Sequence, residues 1–320
     1  MTNQYLPEGM ILGAAENREY ITSLSGLTRA MSDGVILEST VLLCDSSMRL
    51  HVDLYGITGI IEREECVFCR DGEELKDIAV ITRVGKPICF KVMNITFENG
   101  KPIAHLSRRM AQKECIQNHL SDLISGDIIP AKVTHMETFG AFVDIGCGVA
   151  SLLSVDCISV SRISHPSDRL RVGDIINVII KTIDQHTGRI FVSMRELLGT
   201  WEENASRFAS GQTVAGIIRS IENYGVFVEL APNLAGLAEL RDDTNDKEIA
   251  EIGKTVAVYI KSIIPDRMKI KLVLIDSYKG DTRRSGIEYF IDCKNTSHLN
   301  SWRYSTPNSR KIIETVFDEI

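Results

Sequence analysis

Two aromatic pairs are the residues best placed to do chemistry in this chain. In "ETFGAFVDIG", Glu137 to Gly146, Phe139 and Phe142 flank Gly140, and in "ENYGVFVELA", Glu222 to Ala231, Tyr224 and Phe227 flank Gly225. Read as a strand with a period of two, Ala141, Val143 and Ile145 share one face, and Phe142 and Asp144 share the other. The first set is a core face. The second sets a large ring beside a carboxylate on a wet face. One exposed Phe would be read as packing at a barrel end or beneath a loop. Recurrence changes that reading: Phe142 and Phe227 each precede Val-Asp/Glu by one residue and follow an aromatic by three. Such rings can stack on the π-face of any base, at about 1–3 kcal/mol per base.

Basic residues on neighbouring strands are candidates to hold a nucleic-acid backbone: Lys132, Lys181 and Arg189, then Arg219, Lys261 and Lys269. A Lys on a wet strand face is usually only solvated, so these carry less weight than the rings. Single strands suit the platforms better than duplex RNA, whose bases are already stacked. Arg162 and His165, in "SVSRISHPSDRLRVGD" (Ser159 to Asp174), either touch RNA or fix that loop beside Pro166. Asp144 and Glu229 recur, and one carboxylate per repeat reads as the polar face of a strand. Cys66 and Cys69 form a close pair, but a zinc site needs four ligands and no second CxxC or HxxxH accompanies them. There is no nucleophile elbow, phosphate-cradling loop or paired metal motif, so the expectation is a protein without catalysis or cofactor.

The elements that must position these residues are repeated. "SGDIIPAKV" (Ser125 to Val133) matches "SGQTVAGII" (Ser210 to Ile218), and Gly140 and Gly225 keep the same spacing as Gly126 and Gly211. "VGDIINVIIKTID" (Val172 to Asp184) matches "IGKTVAVYIKSII" (Ile252 to Ile264), and "GRIFVSM" (Gly188 to Met194) matches "MKIKLVL" (Met268 to Leu274). A fainter copy begins at "MRLHVDLYGITGII", Met48 to Ile61, with Met48 and His51 at the aromatic positions. Every block reads as a strand, with β-branched residues alternating with polar ones between Gly-rich turns. Five short strands per module suit a small closed barrel. Arg108 to Ile124 and Leu197 to Phe208 read as joining helices.

These motifs resemble the ribosomal S-one RNA-binding module, a five-stranded oligonucleotide-binding (OB) barrel. The likeness lies in the aromatic-Gly-x-Phe-Val-Asp/Glu strand, the "HPSDRLRVGD" entry to the fourth strand and the Arg-Ile-x-x-Ser of the fifth. It covers about residues 34 to 277. It implies an all-β fold: three tandem five-stranded OB-fold barrels joined by short helices, with an N-terminal helix and a small mixed C-terminal extension. The expected segments are 1–33, a degenerate first module at 34–113, modules at 124–199 and 209–277, and the extension at 278–320. The family's two surface aromatics fall on Phe139 and Phe142, and on Tyr224 and Phe227. Its late-strand acid and base fall near Asp184 and Arg189, and near Asp266 and Lys269. Its strand-three histidine is absent: Ser154 and Glu239 stand there, and Glu239 would repel a phosphate. The resemblance further implies single-stranded RNA (mRNA) as ligand and the small ribosomal subunit as partner.

The bulk numbers bound this reading. The chain has 320 residues and a net charge of −7, so a sequence-blind polybasic binder is disfavoured. Tethering to a larger particle would supply the effective concentration that a weak site lacks. The eight scattered cysteines fit a reducing cytoplasm. No apolar run approaches the roughly 18 residues of a membrane span, and the start of the chain has no secretory pattern. Ala14 to Met31 reads as a helix that packs on the first barrel or docks on a partner. Ile287 to Ile291 reads as a strand and Asn308 to Phe317 as a capped helix. The rival readings are a free RNA-binding regulator, an accessory subunit of an RNA-processing or RNA-degrading enzyme, and a scaffold whose barrels have lost RNA.

Overall fold

The computed structural model describes residues 5–70, 72–239, 250–277 and 286–317, and the remaining positions of the expected segments lie outside it. Helices α1 (Ala15–Ile21) and α2 (Leu24–Asp33) precede β1 (Leu37–Cys44), β2 (Leu50–Leu54), β3 (Ile57–Ile61), α3 (Asp77–Ile81), β4 (Pro87–Glu98) and β5 (Lys101–Ser107). Helix α4 (Arg108–Asn118) leads to β6 (Ile128–Glu137), β7 (Gly140–Asp144), β8 (Ala150–Ser154), α5 (Val155–Ile158), β9 (Ile175–Ile183) and β10 (Ile190–Ser193). Helix α6 (Trp201–Ala205) leads to β11 (Thr213–Glu222), β12 (Gly225–Ala231), β13 (Leu234–Ala238), β14 (Thr255–Ile264) and β15 (Lys269–Ser277). A two-stranded ribbon, β16 (Ser301–Arg303) and β17 (Glu314–Val316), follows.

The fifteen barrel strands form three closed five-stranded barrels. Each closes by a parallel pairing of its third and fifth strands: Gly59 with Ala104, Leu152 with Phe191, and Leu237 with Lys271. Parallel neighbours need a long crossover, which is why the connection between strands three and four holds α3 in barrel one and α5 in barrel two. Closure leaves no open sheet edge. Strand alternation fills the interiors. Leu50, Val52 and Leu54 are buried in barrel one, Val133, Ala141 and Val192 in barrel two, and Val226, Val228 and Leu272 in barrel three.

Contacts divide the chain into two compact units. One is Met1–Leu123 with Pro130–Lys132 and Val143–Ala150; the other is Ile124–Ile129 with Val133–Phe142 and Ser151–Ile320. In the first unit the expected single N-terminal helix is two. Ser23 interrupts it because its hydroxyl accepts the Gly26 amide at 3.0 Å and caps α2. Tyr20, Ile21, Leu27 and Ala30 join the barrel-one core, so this segment packs on its own barrel.

The tail departs from expectation. Ile287 to Ile291 forms no strand, and Asn308 to Phe317 is not a helix. Its amides bond across the chain instead: Trp302 pairs with Thr315, and Phe317 donates to the Asn300 carbonyl at 2.9 Å. Thr315 and Val316 are β-branched and fit a pleated surface better than a helix. The pairing also holds Trp302, Tyr304 and Phe317 in buried positions.

Candidate nucleic-acid interface

The turn that presents the rings is set by a close backbone approach. A Cβ on Gly140 would lie 2.6 Å from the Leu153 carbonyl oxygen, and one on Gly225 would lie 2.5 Å from that of Ala238. Only glycine lets the second strand start this close to the third, so the ring-bearing hairpin is pinned against its neighbour in both barrels. Phe139 then stands at the hairpin tip, 54% exposed, and Tyr224 stands there in barrel three, 63% exposed. Phe142 and Phe227, half-buried, lie on the outer strand face. The two pairs share one geometry. The rings of Phe139 and Phe142 meet edge to face at 6.1 Å and 90°, and those of Tyr224 and Phe227 at 6.2 Å and 89°. Edge-to-face packing is a favoured arrangement of two rings and holds each pair in place.

Barrel two adds groups that sequence reasoning missed. His135 lies 6.3 Å from Phe142 with the ring planes 22° apart, and its Nε2 meets Glu137 Oε1 at 2.8 Å. In barrel three Ser220 faces Phe227. Leu152 and Phe191, paired in register, extend the apolar surface, and the barrel-three pair is Leu237 and Lys271. The available signal was alternation: Ile190 and Val192 point inward, so Phe191 must point out. Likewise Ile270 and Leu272 point in, so Lys271 points out. Lys271, Lys261 and Glu239 line a hollow of 270 Å³ with Leu237, Leu272 and Val273. Glu239, expected to repel phosphate, shares that hollow with two lysines.

Several sequence candidates are committed elsewhere. Arg219 is the plainest correction. Its side chain is 7% exposed, and its Nε donates to Glu229 Oε2 at 2.7 Å while Nη1 lies 3.3 Å from Asp168. Glu229 and Asp144 are not a wet strand face either: they are 5% and 2% exposed. Asp144 accepts the amides of Glu8, Gly146 and Gly148. Burial raises its pKa, and the nearby Glu8 carboxylate adds to that. Lys132 donates to the Glu8 carbonyl at 2.7 Å, and Lys181 meets the Cys157 thiol at 3.0 Å. Asp184 closes the β9–β10 turn, accepting from the Thr187 hydroxyl and the His186 amide, which hold it below the usual carboxylate range. Asp266, its counterpart in barrel three, is exposed and lies 3.4 Å from Asn308 Nδ2. His165 caps the turn at Pro166, its Nδ1 accepting the Ser167 amide at 3.1 Å. Arg162, Arg189, Lys261 and Lys269 are exposed.

Barrel one lacks the platform. Its β1–β2 loop runs from Asp45 to Arg49, against the two-residue Thr138–Phe139 turn of barrel two. Asp45 organises it, accepting from Arg49 Nε at 2.9 Å and lying 3.1 Å from His51 Nε2. Met48 sits there at a φ of 62°. Cys66 is a buried thiol pushed up to about 12 by its burial, and among the described residues no group of metal-capable side chains assembles.

Closed five-stranded barrels in this strand order, two of them with ring pairs on an outer face, define a protein of the oligonucleotide-binding barrel class. Residues 122–195, which hold barrel two, match the S1 RNA binding domain. It is 30% identical over 235 residues to the small ribosomal subunit protein bS1 of Leuconostoc lactis, covering 70% of this chain and 52% of that protein. It is 32% identical over 200 residues to the bS1 of Staphylococcus aureus strain COL, covering 59% of this chain and 50% of that protein. The chain thus spans about half the length of the curated relatives it matches. A multidomain protein with nucleic acid binding domains from Streptococcus pneumoniae TIGR4 aligns at 16% identity and a TM-score of 0.24, over 78% of this chain and 76% of that one.

Proposed function

We propose that this protein binds single-stranded RNA without catalysis, through the ring pairs of barrels two and three, in modules spanning 124–199 and 209–277. The observation that carries the reading is the same edge-to-face ring pair, at matching separation and angle, on two successive barrels. Stacking of this kind contributes about 1–3 kcal/mol per base with little sequence preference. Lys261, Lys271 and Lys269 lie where a backbone would pass over barrel three, and Arg162, Arg171 and Arg189 are exposed cations of barrel two.

The bS1 relatives are named as small ribosomal subunit proteins, which supports a cytoplasmic role in translation at that subunit. In this reading barrel one and the N-terminal helices, at 1–113, hold a protein partner rather than RNA. The test is fluorescence anisotropy with an unstructured oligoribonucleotide. Phe142→Ala and Phe227→Ala together are expected to weaken binding at least tenfold with melting little changed, because each lost ring removes about as much free energy as a tenfold change in affinity represents. Unchanged affinity overturns the stacking model. Co-sedimentation with small ribosomal subunits, expected for the full chain, separates this role from a free regulator.

A further inference from the structure

The second compact unit contains a junction that the RNA-binding reading leaves unexplained. Barrel two sends its β8–β9 connection onto barrel three. Arg169, on that connection, pairs with Glu229 of β12, which also holds Arg219, and Arg219 in turn meets Asp168. The side chains of Arg169, Arg219 and Glu229 are 9%, 7% and 5% exposed. Two cations and two anions therefore neutralise each other at a largely dry seam. Buried charge tolerates little displacement of its partners, so such a seam fixes position more than it adds stability.

Asn233 makes a second lock. Fully buried, it accepts the Val160 amide at 2.9 Å from barrel two and donates to the Arg195 and Gly199 carbonyls at 2.8 and 2.9 Å in the connecting segment. The C-terminal ribbon closes the arrangement. Tyr304 donates its hydroxyl to the Asn233 carbonyl at 2.5 Å, and its own carbonyl accepts the Trp201 amide. The same extension grips each barrel. On barrel two, Ser297 accepts the Ile128 amide at 2.8 Å and Tyr289 accepts the Asn177 amide at 2.8 Å. On barrel three, Thr306 donates to the Pro265 carbonyl at 2.9 Å.

We propose that barrels two and three act as one rigid clamp that holds a single RNA strand at two platforms together, with residues 286–317 as the splint that fixes their spacing. Glu229 lies two residues beyond Phe227 on the same strand, so the seam abuts the barrel-three platform. A strand bound at one platform then meets the second at a fixed distance. Two linked sites gain affinity by effective concentration, by 10² to 10⁴ when the geometry matches the span. A loose link gives up part of that gain.

The proposal rests on the RNA-binding reading, and the experiment tells the two apart. Wild type, Asn233→Ala and Arg169→Met are compared as full chains, none of the substitutions touching a platform ring. Each is titrated with a short oligouridylate that fills one platform and with a series of longer ones. In wild type, affinity is expected to rise at least a hundredfold past a threshold length. In either variant the long-RNA affinity is expected to fall about tenfold while the short-RNA affinity stays within twofold. Backbone ¹⁵N relaxation is expected to give barrels two and three one tumbling time in wild type and two in the variants. No length threshold, or separate tumbling in wild type, overturns the clamp and leaves RNA binding standing. Short-RNA binding indifferent to Phe142 and Phe227 overturns the reading beneath it.

Discussion

Barrel one and barrel three have the same strand order and opposite use of the same position. The residue two beyond the platform aromatic on strand two is Asp53 in barrel one, Asp144 in barrel two and Glu229 in barrel three. Asp53 is exposed, and its carboxylate accepts the Tyr55 amide at 3.1 Å. Glu229 is buried between two arginines. At the platform position itself, His51 is drawn to Asp45, whereas Phe227 meets Tyr224 edge to face. The backbone does not choose between these uses. A handful of side chains on an outer strand face decide whether a barrel offers rings, polar clusters or a docking point.

The largest effect that breaks this contrast is on stability. Glu229→Ala leaves two buried guanidinium groups without their shared anion and is expected to destabilise the chain by about 3–5 kcal/mol. Asp53→Ala, at the matching position of barrel one, is expected to cost about 0.5 kcal/mol or less. Urea unfolding of both variants checks the pair, and equal losses would break the comparison.

A smaller effect sharpens the role of the first unit. Residues 8–12 lie against Glu38, whose two carboxylate oxygens accept the Gly9 and Ile11 amides. Burial pushes the Glu38 carboxyl up to about 7. Asp144 is raised in the same direction, while Glu8, opposed by burial, is held low by Arg108. A carboxyl raised on folding stabilises fully below its unfolded value and loses that contribution as pH rises through the folded one. Hydrogen-exchange protection of the Gly9 and Ile11 amides, corrected for intrinsic rates, is therefore expected to fall between about pH 4 and pH 7. The Val228 amide in barrel three is the control and is expected to hold. Protection that rises over this range would contradict it.

The smallest effect is a null. His51→Ala is expected to leave RNA affinity within about twofold, where one lost stacking ring would cost about 1–3 kcal/mol. A tenfold loss would mean that barrel one binds RNA despite its polar face.

The ring pairs were legible in the chain because strand alternation and a repeat are properties of sequence. Alternation turns Phe191 and Lys271 outward, but the meeting of His135, Phe191 and Lys271 with the platforms was not legible, because each comes from a different strand. The basic residues misled for a related reason. Arg219 and Lys132 alternate outward like any wet lysine or arginine, but another part of the chain covers them. The tail misled because Ile312, Ile313, Val316 and Phe317 fit a helical face, and only the pairing of Glu314–Val316 with Ser301–Arg303 makes a ribbon of that stretch.

By itself, the sequence determined the number of barrels, the strands in each and the rings on two of them. Those follow from local patterns: alternation, turn glycines and a tandem repeat. Tertiary structure decided which charges are free. Asp144 and Glu229 look alike in the chain, yet one receives the N-terminal segment and the other receives barrel two. Burial and pairing are set by whatever packs over a strand, and that neighbour lies 60 residues away for Glu229 and 136 for Asp144.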